Sequence, residues 1–493
     1  MEDTLLALDA GTTGVSAVLF DAELRPIVRA YREFAQHFPQ PGWVEHEARA
    51  ILGALDVVLA EALAHPRAAG VVALGLTNQR ETIFALERAS TQALGPGIVW
   101  QDRRTENRCA ELRASGHLER VRARTGLVLD PYFSATKAEW MLQNDPALAA
   151  RARAGEVVFA TVDALILAHL TRGATIATDP TNAARTLLFD IGTRRWDREL
   201  CALFGLEASW LPEVRGSTAD FGHTHRSRTA GRSLPIRGVA GDQQAALFGQ
   251  GCFDAGTLKV TFGTGSFLLL NTGAERRDSP GGLLTTLAVG RNGEPVFALE
   301  GSVFVSGALV QWLRDQLGLV ARASDIEALA RSVPDSGGVV VVPAFAGLGA
   351  PYWDAGARGA VLGLTRGSSR AHIARAALES LAFQNSELIE LLRAESGLPV
   401  DVLLADGGAA ENDLLLQLQA DFAGVRVRRP GNLATTARGA AALAGLGVGL
   451  WSDPDQPAGM RDRSVDFDPT LPSKERKRRM ADWKRAVRRV RTR

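Results

Sequence analysis

Cysteine is scarce in this 493-residue chain. Cys109, Cys201 and Cys252 are odd in number, far apart, and none sits in a C-x-x-C pair. That argues against a disulfide framework and against a zinc site, and it fits a reducing compartment, so a cytoplasmic protein is expected. An excess of charge of one sign is lacking too. The 56 basic and 55 acidic residues nearly cancel, which removes the electrostatic case for nucleic acid or an anionic membrane as the main partner. Lysine fills only five of the 56 basic positions, a bias of composition rather than a sign of function. No uncharged apolar run reaches the roughly 18 residues that a membrane span needs. The opening Met-Glu-Asp-Thr carries no basic region, so no signal peptide is expected.

The common nucleotide signatures are missing as well. There is no G-x-x-x-x-G-K-[ST], no G-x-G-x-x-G opening a helix and no H-R-D loop. Any phosphate chemistry must therefore rest on other turns.

What is present is the grammar of an α/β protein. At this length one core is unlikely to suffice, and two domains of about 250 residues are expected. A boundary near residues 245–257 gives 1–248 and 249–493. Apolar runs at Thr4–Leu8, Val15–Phe20, Val71–Leu76, Ile98–Trp100, Val157–Thr161 and Ile236–Ala240 predict strands in the first half. Leu258–Phe262, Ser266–Asn271, Val339–Pro343 and Val402–Leu404 predict them in the second. Residues 48–66, 371–393 and 413–422 have helical periodicity. A strand–turn–strand unit opens each half, at residue 4 and again at residue 258, a weak internal duplication of pattern. The tail from Lys474 holds 11 basic residues in 20. It reads as a contact for an anionic partner or, as we prefer, as a solvated helix with Trp483 and Val487 turned inward.

Three turns carry the chemistry. In Asp9-Ala-Gly-Thr12-Thr13, glycine permits a tight turn on which backbone N–H groups converge as an anion nest, and the hydroxyls add donors. Asp9 can hold Mg²⁺ or its water. Gly263-Thr264-Gly265 is a second such turn. Asp406-Gly407-Gly408, before a helix starting near Glu411, lets the backbone approach a flat group such as adenine. Each alone reads equally as an ordinary loop glycine; in this order they read as a nucleotide site. Two polar clusters lie behind buried strands, Asn78-Gln-Arg-Glu81 and Gly241-Asp-Gln-Gln244. The ends of such strands are where open α/β sheets hold ligands. Arg80 and Glu81 suit hydroxyl groups, or form a surface ion pair, and Asp242 can take a proton from a hydroxyl. Together these suggest a kinase acting on a small polyol. His223-x-His225 lies on a polar loop and is expected to bind nothing.

The order of the three turns resembles the actin/hexokinase/Hsp70 superfamily, and the stretches between them resemble the FGGY carbohydrate kinases. They are Pro41–His46, Thr77–Thr82, Asp130–Ser134, Gly241–Gln250, Thr261–Gly265, Gly347–Asp354 and Gly363–Arg366. The resemblance implies two actin-like (ribonuclease H-like) α/β domains flanking a central catalytic cleft. It implies ATP and Mg²⁺ as cofactors and phosphorylation of glycerol to sn-glycerol 3-phosphate, in a homo-oligomer such as a dimer or tetramer. A sister kinase acting on a tetritol, a pentulose or dihydroxyacetone is the alternative, and a non-catalytic ATP-binding protein a more distant one. Residue by residue, it implies Asp242 as general base. Arg80, Glu81, Tyr132, Asp242 and Gln243 would hold the hydroxyls, with Trp100 and Phe267 as the apolar wall. Thr12, Thr13, Gly263 and Thr264 would meet phosphates; Gly307, Gln311, Gly408 and Asn412 would line the nucleotide site. The chain departs from the pattern at Ser16, where the resemblance expects arginine. It departs again at Ala230-Gly-Arg-Ser233, whose register does not match a fructose-bisphosphate loop, so that control is not expected.

Overall fold

The computed structural model describes residues 2–461 and 463–492. The chain forms two compact units. The first contains Met1–Phe253, Thr285–Phe297 and Thr435–Arg461; the second contains Asp254–Leu284, Ala298–Ala434 and Asp462–Arg493.

The first unit is organised by a five-stranded sheet in the order Ile236–Gly241, Val71–Asn78, Thr4–Ala10, Gly14–Asp21, Pro26–Glu33. The last three form an antiparallel meander, and the other two add in parallel. Helix Ala48–Leu63 supplies Ile51, Leu55, Val58 and Leu59 to the core on one face. Helix Thr435–Gly447 covers the other with a run of alanines. That burial on both faces explains why Val71–Asn78 is a continuous apolar run rather than an alternating one. The second helix packs backbone to backbone. A Cβ on Gly75 would stand 2.0 Å from the Ala440 carbonyl oxygen, and one on Gly238 would stand 2.6 Å from Ala444 N.

The second unit repeats the plan in a seven-stranded sheet. Leu258–Phe262 pairs antiparallel with Ser266–Gly273 and parallel with Val402–Asp406, which pairs in parallel with Arg426–Pro430. The duplicated strand–turn–strand pattern is thus an antiparallel hairpin whose first strand also pairs in parallel with a later one, used in both units. The long helix Arg370–Ser396 and helix Asp413–Ala423 bury their apolar residues against it. The basic tail forms helix Ser473–Val490. Trp483 and Val487 are buried, and Trp483 stacks on Phe383 at 5.7 Å between ring centroids. Its cations face acidic neighbours, among them Lys484 toward Glu390 and Arg479 toward Glu379.

Two sequence expectations shift locally. The strand expected over Ile98–Trp100 is only Gly97–Ile98, because the Trp100 amide turns away to donate to Thr82 Oγ1 at 3.3 Å. The helix expected near Glu411 begins as a 3₁₀ turn over Gly408–Glu411. The α-helix itself starts at Asp413, where Asn412 caps it by accepting from Leu415 N at 2.8 Å.

Candidate active site

Strand Val71–Asn78 ends in the polar cluster, and every residue from Asn78 to Glu81 is at most 2% exposed. Four buried polar side chains in a row need partners. Arg80 donates from Nη2 to the Tyr132 hydroxyl at 3.2 Å and from Nη1 to Gln244 Oε1 at 3.3 Å. Its Nε stands 3.5 Å from Asp242 Oδ1 and 3.7 Å from Glu81 Oε1. Glu81 holds a left-handed backbone, φ 63°, a conformation that costs a non-glycine residue about 1–3 kcal/mol. It is pinned there from both ends: Arg185 Nε donates to its carboxylate at 2.7 Å, and Ser134 Oγ donates to its carbonyl at 2.8 Å. Asp242 opens helix Asp242–Gly249 and keeps 28% of its side chain exposed, while Arg80 and Glu81 are at 2%. Its Oδ1 accepts from Gln243 N at 2.7 Å. Asp242 is therefore the reachable carboxylate over a buried cationic and anionic floor.

The first glycine turn lies in the same unit. Gly11 N donates to Gly14 O at 2.9 Å, and Gln79 Nε2 braces the turn by donating to Gly11 O at 3.0 Å. The amides of Thr12 and Thr13 have no protein acceptor among the described residues, which is what an anion nest needs. Thr12 Oγ1 accepts from Trp100 Nε1 at 2.9 Å, and the Trp100 ring meets Tyr132 edge-on at 5.6 Å. The apolar wall expected at Trp100 thus touches both the turn and the hydroxyl cluster. Burial pushes the Asp9 carboxyl up to about 7; the Asp242 charge pushes the same way, and Arg29 opposes them. Two carboxylates that repel each other suit a shared cation. Among the described residues no three His, Cys, Asp or Glu gather into a metal cage. One or two carboxylates completed by phosphate and water oxygens is the donor set that Mg²⁺ takes, so these residues fit it.

The second unit holds a cavity of about 440 Å³. Gly263, Thr264, Gly307, Gln311, Gly408 and Asn412 all line it, beside Phe262, Val310, Ile326, Leu378, Leu381 and Leu415. Gly307 and the neighbouring Gly407 are required by close backbone contacts. Gly307 N donates to Gly263 O at 2.9 Å, and a Cβ on Gly307 would stand 2.6 Å from that oxygen. Gly407 has φ 88°, and a Cβ there would be 2.4 Å from Phe262 O. An apolar slot rimmed by Gln311, Glu327 and Asn412 matches a flat heteroaromatic group with polar edges. Phe267 lies in this unit, buried near the start of strand Ser266–Gly273.

Arg185 and Asn182 belong to these sites but carry no local sequence signal. Arg185 is fully buried and lies 5.6 Å over the Tyr132 ring and 5.4 Å over Phe133. Gln244 links Arg80 to the Leu287 carbonyl, to which its Nε2 donates at 3.0 Å. Asn182 and Asn78 exchange amide hydrogen bonds at 2.9 and 3.2 Å. His225 accepts from Ser227 N at 3.2 Å and caps a 3₁₀ turn.

The chain matches the model of the FGGY family of carbohydrate kinases, N-terminal domain, over residues 4–249, and that of the C-terminal domain over residues 258–448. It is 52% identical to a glycerol kinase of Aromatoleum aromaticum over 489 residues, covering 99% of this chain and 98% of that one. It is 51% identical to a glycerol kinase of Rhodospirillum rubrum over 488 residues, with 99% and 98% covered. Among solved structures it is similar to a Plasmodium falciparum glycerol kinase with ADP: TM-score 0.90, 33% identity, 99% and 98% of the two chains covered. A xylulose kinase from Lactobacillus acidophilus shares the fold at a TM-score of 0.85 and 20% identity, with 99% and 98% covered. With both family models matched across most of its length, the chain belongs to the FGGY family of carbohydrate kinases.

Proposed function

We propose that the protein transfers the γ-phosphoryl group of ATP to a terminal hydroxyl of glycerol, giving sn-glycerol 3-phosphate and ADP. The observation that carries this reading is the partly exposed carboxylate of Asp242, held beside Arg80 over a buried floor of Glu81 and Tyr132. A three-carbon polyol has little apolar surface, so its binding must come from satisfied hydrogen bonds. A site whose buried polar groups would otherwise stay unpaired rejects analogues lacking a hydroxyl. Arg80 donates to substrate oxygens, Glu81 accepts from hydroxyls, and the Tyr132 hydroxyl does either.

Asp242 accepts the proton of the attacking hydroxyl as its oxygen bonds to the γ-phosphorus and the bond to the β-γ bridging oxygen breaks. The guanidinium of Arg80 orients that carboxylate. In the first unit Thr12 and Thr13 are the donors suited to phosphate oxygens; in the second unit Thr264 is such a donor, and the apolar slot around Gly408 suits adenine. Magnesium, when bound with the nucleotide and held through Asp9, supplies neutralisation of phosphate charge. Little covalent work falls to the protein, so positioning and electrostatics carry the rate. Three free, buried cysteines fit a cytoplasmic setting. A homo-oligomer, dimer or tetramer, is part of the same reading and is checked by mass in solution.

The test is ADP release by the purified protein with and without glycerol, against a panel of tetritols, pentuloses and dihydroxyacetone. Glycerol is expected to give the highest kcat/KM. Preference for another polyol overturns the substrate, and ADP release independent of any polyol overturns the kinase reading.

A further inference from the structure

Strand register sets a row of side chains across the first sheet. Asp9 pairs with Ser16, and Ser16 pairs with Tyr31, so the three share one face. Arg29 is two residues from Tyr31, opposite Val18, and therefore lies on that face too. This is the face on which helices Asp242–Gly249 and Thr435–Gly447 pack. Ser16 is buried and neutral, so the middle strand contributes no charge to the row.

The outer strand is tied to the phosphate turn at two points. Phe34 N donates to Thr13 O at 3.3 Å. The Tyr31 hydroxyl lies only 2.6 Å from where a Cβ on Gly14 would stand, so residue 14 must be glycine for the ring to lie against the turn. The Arg29 guanidinium carbon sits 5.6 Å from the Tyr31 ring centroid, within reach of a cation–π contact. Arg29 is exposed. Among the described residues it has no carboxylate hydrogen bond or ion pair, although most arginines around the site are paired. Its positive charge acts on Asp9. An unpaired cation, carried on an aromatic ring that abuts an anion nest, is poised for an anion.

We propose that Arg29, reaching from the outer strand, is the cation that binds a phosphoryl group held at the Gly11–Gly14 turn, supplying there the charge that Ser16 does not. The inference rests on the kinase reading above. The phosphoryl group is either the γ-phosphoryl of ATP or the phosphate of the product.

The experiment compares wild type, Arg29→Gln, Arg29→Lys, Ser16→Arg and the double variant Ser16→Arg/Arg29→Gln. It measures KM for ATP and glycerol, kcat, the inhibition constant for glycerol 3-phosphate, and thermal melting. Arg29→Gln is expected to raise the ATP KM or the product inhibition constant about tenfold, with the glycerol KM within about twofold. A change in ATP KM identifies the nucleotide as the source, and a change in product inhibition alone identifies the product. Arg29→Lys should keep part of the effect, and Ser16→Arg in the Arg29→Gln background should restore it by returning the charge from the middle strand. If both constants stay within about twofold of wild type in folded Arg29→Gln, the inference is overturned. It is equally overturned if Arg29→Gln melts early and Ser16→Arg restores neither constant. A wild type without glycerol-dependent ADP release would instead fail the kinase reading, so the two failures are distinct.

Discussion

Arg80 Nε lies between two carboxylates, 3.5 Å from Asp242 Oδ1 and 3.7 Å from Glu81 Oε1. One arginine thus joins the end of strand Val71–Asn78 to the start of helix Asp242–Gly249. Glu81 in turn draws Arg185 to 2.7 Å, so two cations and two anions share one site. The more exposed anion, Asp242, is the one a ligand can reach, while the buried one is held by a second arginine.

Asp242→Asn keeps the shape and the Arg80 contact but removes the proton acceptor. A fall in kcat of about 10²–10⁴-fold is expected, with the melting temperature unchanged or raised, since a charge facing Asp9 disappears. Steady-state turnover beside a thermal melt measures both. Wild-type-like turnover would exclude Asp242 as the base.

Arg80→Ala strips the site of its donor and leaves Glu81, Tyr132 and Gln244 short of a partner. Removing one member of a buried charged group costs about 3–5 kcal/mol. The glycerol KM should rise strongly, while the ATP KM should change far less. Arg80→Lys should recover little, because a single ammonium cannot reproduce contacts made from Nε, Nη1 and Nη2 together. An unchanged glycerol KM in either variant would move the polyol site elsewhere.

Gly307→Ala tests the cavity of the second unit. The added Cβ would come within 2.6 Å of the Gly263 carbonyl oxygen, so the turn that carries Thr264 must shift. The ATP KM is expected to rise by about tenfold or more, on the scale of a lost charge-assisted hydrogen bond, with glycerol binding retained. Nucleotide binding by calorimetry reads this directly. Wild-type affinity would mean that the turn does not meet the nucleotide.

The sequence was most legible where function forces a local pattern. A glycine turn must follow its strand, so Asp9–Thr13, Gly263–Gly265 and Asp406–Gly408 could be found by reading along the chain. The strand Leu258–Phe262 and the strand Val157–Thr161 came out to the residue, since turns bound the first and the second lies between the Gly155 turn and helix Val162–Leu170. What stayed hidden depends on partners distant in sequence. Arg185 is an arginine like fifty others until the fold sets it on Glu81, 104 residues away. Helix Thr435–Gly447 reads as generic alanine-rich helix. Gly75 and Gly238, through their missing side chains, admit it against the first sheet. Arg29 is likewise invisible without the register that aligns it with Asp9.

His46 offers a test of stability against pH. The residue is buried, with its ring edge-on to Phe34 at 5.0 Å and its Nδ1 3.4 Å from Gln79 Nε2, the same amide that braces Gly11. Burial, with a smaller push from His37, lowers its pKa from 6.5 to about 4. The fold therefore disfavours the imidazolium, and between these values the unfolded chain binds more protons. The contribution is full above about 6.5 and is lost as pH falls toward 4, to a limit of about 3 kcal/mol. Asp163 works in the opposite direction: burial raises its pKa from 3.8 to about 6, so its penalty shrinks as pH falls through the same range. Wild type alone would blur the two. The difference between wild type and His46→Gln isolates the histidine, because glutamine keeps a hydrogen-bonding group toward Gln79 and does not titrate. Denaturant midpoints at about pH 7.5 and about pH 5 should fall for wild type by more than for His46→Gln. Equal losses in both proteins would show that His46 is not the group whose protonation loosens the scaffold beneath the phosphate turn.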